Sequence, residues 1–374
     1  MLRFLTAGES HGPSLTAIIE GLPAGVPIDL AQLHREMRRR QLGYGRGPRM
    51  QIETDTVELL SGVRRGKTLG SPVALSIKNQ DASIDRLPVV TQPRPGHADL
   101  TGAMKYDHRD IRNVLERASA RETAARMAVG AVCKQLLSPL GIELASHVIA
   151  LGSLRAKPMP VSVATLRAHA EGTPLRCLDP QATQRMIRQI DACVKAGDTL
   201  GGIFEVIAEG LPPGLGSYVH YDRRLDVIVG RAMLSIHAVK AVEVGDGVLA
   251  ASLPGSKVQD EIFYSRAKGF TRSSNRAGGF EGGMTTGQPI VVRGFLKPLS
   301  TLRKPLRSVE INTKRPVVAT VERSDVTTVP AAGVIGEAMI AFELARAILE
   351  KFGGDSLREL QRNYDSYQRQ VQQF

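Results

Sequence analysis

RASARETAARMAVGA, residues 117–131, is the stretch on which the reading of this chain turns. Ser119 followed by Glu122 is a capping box, so the spacing predicts a helix that starts at Ser119. Ala124, Met127, Ala128, Ala131 and Val132 then recur at helical intervals and form one apolar face. That face is nearly all alanine, so a neighbour can approach the backbone closely. Arg112, Arg117 and Arg121 flank the entry and add side-chain cations to the orphan N–H groups of the first turn. A helix N-terminus so equipped is a seat for an anion. The same residues also fit a capped core helix with solvated arginines.

Upstream, Leu2–Thr6 and Leu15–Glu20 read as strands around Gly8-Glu9-Ser10-His11-Gly12. A histidine among glycines just past a strand sits where the backbone comes close to something, although a solvated turn histidine has the same signature. Asp29 caps a helix to about Arg40, which ends in Arg38-Arg39-Arg40 ahead of the glycine-rich 43–48 loop. Those cations serve either the helix dipole or an anion that orders the loop. Val57–Leu60 and Ser71–Ile77 read as paired strands. Residues 79–110 read as a loop centred on Arg94-Pro95-Gly96-His97-Ala98-Asp99, which holds a second histidine beside an arginine.

Downstream, Pro139 and Gly141 stop the central helix and Ile142–Leu151 is apolar enough for a strand. Residues 155–200 read as polar helical scaffolding, with Pro180 opening a helix that ends near Gly197. Ile203–Glu209 is a strand, a helix spans Asp222 to about Val239, and residues 276–283 are densely glycine-rich. A long apolar helix runs from about Ala331 to Phe352, and a polar helical arm follows from Asp355. Glu20-Gly21-Leu22-Pro23 returns as Glu209-Gly210-Leu211-Pro212, and Gly66-Lys67-Thr68-Leu69-Gly70 returns as Gly283-Met284-Thr285-Thr286-Gly287. The pairs keep their order with a helix between, as expected if strand–helix–strand units at about 1–150 and 200–345 are duplicates. Chance likeness of Gly/Pro turns is the competing reading.

The chain has 374 residues, a net charge of +12 and 42% hydrophobic residues, a globular composition whose basic balance asks for anionic partners. Aromatics are only 4% with no Trp, which is poor material for stacking on nucleic acid. No apolar run reaches the length of a membrane span, and the N-terminus lacks a leader-like apolar region. Cys133, Cys177 and Cys193 show neither a paired motif nor metal spacing, as expected of a cytoplasmic protein with no metal site. No Walker or Rossmann fingerprint is present.

Taken together, Gly8–Pro13, Arg94–Asp99, Glu116–Thr123, Ala277-Gly278-Gly279 with Gly282-Gly283, Lys297-Pro298 and Arg323-Ser324-Asp325 resemble the chorismate synthase family, over roughly residues 3–345. The resemblance implies a single α+β domain with helices sandwiched between mixed or antiparallel sheets, assembled as a homotetramer. It implies elimination of phosphate and a C6 hydrogen from 5-enolpyruvylshikimate 3-phosphate, giving chorismate, with reduced FMN and no net oxidation. That hydrogen is not acidic, so a base alone is insufficient, and a reduced flavin supplies transient electron donation. By resemblance, His11 is the acid near the departing phosphate, His97 stabilises the flavin anion, and Asp325 is a base acting through the flavin. Arg117, Ala118, Ser119, His237, Ala238, Gly282, Lys297, Pro298, Leu299, Ser300, Thr301 and Arg323 carry over as the flavin lining. Arg40, Arg46, Arg49, Arg109 and Arg121 are the expected clamps on the anionic substrate. NADPH is expected only as an outside source of reducing equivalents, touching Arg40 and Arg46, with a separate flavin reductase as a candidate partner. Ala118 stands where the family usually has Ser, and His237 where Asn is common. A different flavoenzyme and a basic nucleic-acid-binding protein are the alternatives; turnover of the enolpyruvyl substrate and salt-steep DNA binding would separate them.

Overall fold

Alternation builds the first sheet. In Ser14–Glu20, Leu15, Ala17 and Ile19 are buried while Thr16, Ile18 and Glu20 are not, the period-two mark of a strand covered on one face. The computed structural model describes residues 1–47, 52–322 and 325–374. In it β1 (Arg3–Ala7) pairs with this strand, β2 (Ser14–Glu20); β3 (Val57–Ser61) and β4 (Val73–Lys78) complete a sheet in the order β1-β2-β4-β3. Between β2 and β3 runs α1 (Leu30–Gln41), capped by the Asp29 carboxylate on the Ala31 N–H at 2.8 Å. After β4 come α2 (Asp99–Tyr106), α3 (Arg112–Arg117) and α4 (Thr123–Leu137).

The second half lays down β5 (Glu143–Leu151), α5 (Pro180–Ala196), β6 (Gly202–Glu209), α6 (Leu225–Leu234), β7 (Val239–Val244) and β8 (Ile290–Leu296). A small hairpin of β9 (Arg307–Val309) and β10 (Pro316–Val318), the long α7 (Val329–Phe352) and α8 (Leu357–Gln373) follow. The second sheet runs β5-β6-β8-β7, with a two-residue strand beyond β5, so its strands succeed one another as those of the first do. Every pairing between the named strands is antiparallel. The repeated turns sit in like places. The Thr68 hydroxyl donates to the Pro23 carbonyl at 2.6 Å and accepts from Val26 N at 2.9 Å. Thr285 does the same to the Pro212 carbonyl at 2.7 Å and from Leu215 N at 2.8 Å. A Cβ on Gly21 would strike the Met1 carbonyl ahead of β1, and one on Gly210 the Gly141 carbonyl ahead of β5.

The helices lie between the sheets: α4 packs on β2 and β4, α7 on β5 and β6, and α4 against α7. Gly130 of α4 meets Ala338 of α7 so closely that any Cβ would overlap it, while Gly333 and Gly336 seat α7 on Ser146 and Phe204. Every residue of α4 except Arg126 is buried, so the single apolar face expected from the sequence is a helix enclosed on all sides. A buried ion cluster ties the layers. Glu337 of α7 accepts two 2.8 Å bonds from Arg39 and bonds of 2.6 Å from Lys134 and 2.5 Å from Ser146.

Four expectations need correction. Ser119 accepts from Arg121 N at 3.3 Å and opens a 3₁₀ turn, not α4 itself, because Glu122 turns to Thr6 and Arg126 and the capping box does not close. The 79–110 segment contains α2, whose short apolar pattern is interrupted by the preceding Pro-Gly. The Asp222–Val239 helix is only Leu225–Leu234, since Val239 is claimed by pairing with Leu296. The terminal arm docks through buried Leu360 and Tyr364. The 155–200 scaffold covers the second sheet, with Val163, Leu166 and Ala170 on Ala145 and Ile207. Among the described residues the first sheet has no such cover: Leu5 is 75%, Leu60 60% and Ile18 44% exposed.

Candidate active site

His11 stands on the turn after β1, and its ring is fixed from α3. Its Nδ1 lies 2.9 and 3.0 Å from the Glu116 carboxylate oxygens, and its backbone N–H donates to the same carboxylate at 2.8 Å. Nε2 points elsewhere, 3.9 Å from Asp81. Burial raises the Glu116 carboxyl, and the bonds and charge of His11, with Arg112, outweigh it, so Glu116 sits below the usual carboxylate range. Arg112 links Glu116 (3.5 Å) to Glu322 (3.1 Å), which brings the His11 turn toward the segment holding Asp325.

His97 is built the same way. Its Nδ1 is 2.5 Å from Asp99, the first residue of α2, and Asp99 also accepts from Arg94 Nε at 2.8 Å and Arg94 N at 3.0 Å. Burial raises Asp99, but the His97 and Arg94 bonds prevail and hold it far below its ordinary value. Arg94 Nη1 donates to the Thr301 hydroxyl at 2.8 Å and the Ser300 hydroxyl to the Gly96 carbonyl at 2.7 Å. Lys297 Nζ donates to Ser300 at 2.8 Å, and burial, then the Lys240 charge, lowers its ammonium pKa. The Pro298 carbonyl is 3.5 Å from the same ammonium, and the Leu299 carbonyl accepts from Thr199 at 2.8 Å. The second-histidine loop and the Lys297–Thr301 turn are thus one unit. Lys297 N bonds the Ala238 carbonyl at 3.0 Å, and Ala238 holds φ +67, uncommon for a residue with a side chain. Next to it, His237 Nδ1 is buried with no hydrogen-bond partner among the described residues. Burial first, then Arg126, His97 and Arg40, lower the His237 pKa against the opposing pull of Glu122.

Asp325 accepts from the Gly47 N–H and lies 3.2 Å from Arg46 Nη1, beside a 170 Å³ cleft that Thr301 also lines. Arg40 joins these groups. Burial, together with Arg121 and Arg46, pushes its pKa down to about 10 while Asp55 and Asp325 pull the other way, so all four are within its electrostatic reach. Arg40 donates to Asp55 at 3.0 Å, Thr123 at 3.0 Å and the Ala120 carbonyl at 3.2 Å, and Arg121 grips the other Asp55 oxygen and Asn79. Both arginines are buried and spend their donors on the protein. Arg117 donates to the Gly8 and Thr6 carbonyls at 2.9 and 3.1 Å, between Ala118 and the His11 turn.

The structure therefore gathers His97, His237, Ala238, Lys297–Thr301, Arg40, Arg46, Arg121 and Asp325, with His11 and Arg117–Ser119 adjoining. Two expectations, Arg109 and Gly282, fall outside that cluster. Arg109 is exposed beyond the end of α2, with Asp107 3.7 Å away. Gly282 lies at the N-terminal end of α6, and His237 follows the other end, about 15 Å of helix away. Arg49 and Arg323 lie outside the described residues. Glu116 and Asp99 were not among the expected site residues although they sit inside the quoted motifs, where the His-x-Asp spacing was a usable signal. Sequence reasoning also missed Asp55 and Glu53, which bind Arg121 across 66 and 68 residues and leave no local trace.

A reduced flavin fits these residues: the orphaned His237 Nδ1 needs a partner, and Gly96 leaves space toward Ser300 and Lys297 that a Cβ would enter at 3.4 and 3.5 Å. Among the described residues no cluster of His, Cys, Asp or Glu has the makings of a metal site, and no helix is long and apolar enough to cross a membrane. A family profile described as chorismate synthase matches residues 2–349. The chain is 56% identical to the chorismate synthase of Symbiobacterium thermophilum over 99% of both chains. It is 54% identical to that of Geobacillus kaustophilus over the whole of both. A crystal structure of chorismate synthase superposes with a TM-score of 0.83 at 44% identity, covering 100% of this chain and 99% of that one. On that coverage the chain belongs to the chorismate synthase family, phosphate-lyases of the shikimate pathway that serves aromatic amino acid biosynthesis.

Proposed function

We propose that the cluster around Arg40, Asp325, His97 and His11 carries the anti-1,4-elimination that converts 5-enolpyruvylshikimate 3-phosphate to chorismate and phosphate, with FMN as the reduced flavin. The observation that carries this reading is the pair of histidines, each fixed through Nδ1 by a buried carboxylate, adjoining arginines that also hold Asp325. Transient electron donation, returned at the end, is what reduced FMN supplies when bound. His11, with Nδ1 turned to Glu116, presents Nε2 as the acid toward the leaving phosphate. His97, held by Asp99, presents its ring to the flavin beside Lys297. Asp325 takes up the C6 proton, and Arg46, 3.2 Å away, holds it in place. Arg46 and Arg49 grip the substrate directly, while Arg40 and Arg121 contribute field from their seats on Asp55. The buried Arg40 spends its donors on Asp55, Thr123 and Ala120, a poor contact for NADPH, which favours reducing equivalents supplied from outside the chain, with a separate flavin reductase as a candidate source.

We read the two sheet units as a duplication, supported by their matching strand order and turn hydrogen bonds. A homotetramer would let a second copy bring its Gly282 to the cofactor and would cover the bare first sheet. The chain's three free thiols fit the cytoplasm. The test is anaerobic phosphate release from the substrate with chemically reduced FMN. No release, or release without flavin, would overturn the reading.

A further inference from the structure

A cavity of about 750 Å³ opens beside the cluster, walled by Pro93–His97 but by none of Lys297–Thr301. Its other walls are α2 with Asp107–Arg109 and the β9–β10 hairpin with Ile311 and Lys314. The volume is that of a small-molecule site. The lining divides by chemistry. Buried Ala103 and Ile311 form an apolar floor, and Leu100, Val309 and Met104 stay 43%, 46% and 72% exposed around it. Exposed Arg109, Arg307 and Lys314 stand at the rim against a single carboxylate, Asp107, while Arg94 is already neutralised by Asp99. Each wall also holds a non-glycine residue in left-handed backbone, Asp107 at φ +53 and Lys314 at φ +61.

We propose that this cavity binds an organic anion with a flat apolar body, an aromatic carboxylate by class, and that its occupancy acts on the reaction through the Arg94–His97 loop. A helix wall facing a hairpin wall makes an apolar slot, and the cationic rim selects an anion at its mouth. The coupling follows from shared parts. Asp99 both opens α2, which carries Leu100 and Met104, and fixes His97, and the loop's far side is bonded to Ser300 and Thr301. A ligand that shifts α2 therefore moves the histidine.

The test titrates the full chain with 8-anilinonaphthalene-1-sulfonate, using neither substrate nor flavin, so its failure is distinct from failure of the lyase reading. Saturable binding is expected, weakened about tenfold by Met104→Glu and by Arg307→Glu. Benzoate should displace the probe and benzylamine, of the same shape but cationic, should not. In the wild type, saturating probe should change flavin-dependent turnover by about fivefold, and in Met104→Glu it should not. Unchanged probe affinity in both variants, or displacement by benzylamine, overturns the site. Normal binding with constant turnover overturns the coupling. A change in particle mass by light scattering in Met104→Glu assigns this face to subunit contact and overturns the ligand.

Discussion

In the proposed mechanism His11 and Asp325 act on protons, whereas Arg46, 3.2 Å from Asp325, also grips the anionic substrate. Replacing His11 or Asp325 with Ala should lower kcat on the order of 10²–10⁴-fold with FMN and substrate affinity retained, since each group acts mainly in the transition state. Near-normal single-turnover rates in both variants would remove the assignment. Arg46→Ala should raise KM and lower kcat together, because it also takes the cation from Asp325; a pure KM effect would count against that pairing. Glu116 gives the pH dependence. Its pKa is depressed in the folded chain, so its stabilising contribution is complete above the unfolded value of about 4.3 and is lost as pH falls toward the folded one. Glu116→Gln should therefore flatten the loss of stability in denaturant melts taken below about pH 4. An unchanged acid slope would show that other carboxylates govern it.

Helix packing is decided by glycines that look alike in the sequence. Gly130→Ala forces α4 off the Ala338 backbone and should cost about 1–3 kcal/mol. Gly230→Ala in α6 meets nothing and should gain about 0.5–1 kcal/mol from helix propensity alone. Urea midpoints decide it, and equal signs would refute the close crossing. The contrast marks what was legible. The period-two strands, the Asp29 cap and the Pro180 start were readable because they rest on neighbouring residues. The shortened α6 and the open capping box were not, because Leu296 and Thr6, far along the chain, outbid the local preference. The site follows the same rule. Histidines and arginines announced themselves by motif, but the carboxylates that aim them, Asp55 above all, are set by folding.

For the whole molecule, the bare first sheet is the place to test assembly. Leu5→Lys puts a charge on that face, at edge strand β1, without touching the core and should reduce the particle mass seen by light scattering. An unchanged mass would place the subunit contacts elsewhere. The one-sided cover also implies two different clocks for amide deuteration. The second sheet has the 155–200 scaffold over β5 and β6 on one side and α7 on the other, so β6 should take up deuterium only when the whole chain opens. The first sheet is backed by helices alone, and its edge strands β1 and β3 can fray one at a time. Two sheets of the same strand order should thus label at rates set by what lies outside them, and dilution of the protein should quicken the first sheet and leave the second alone.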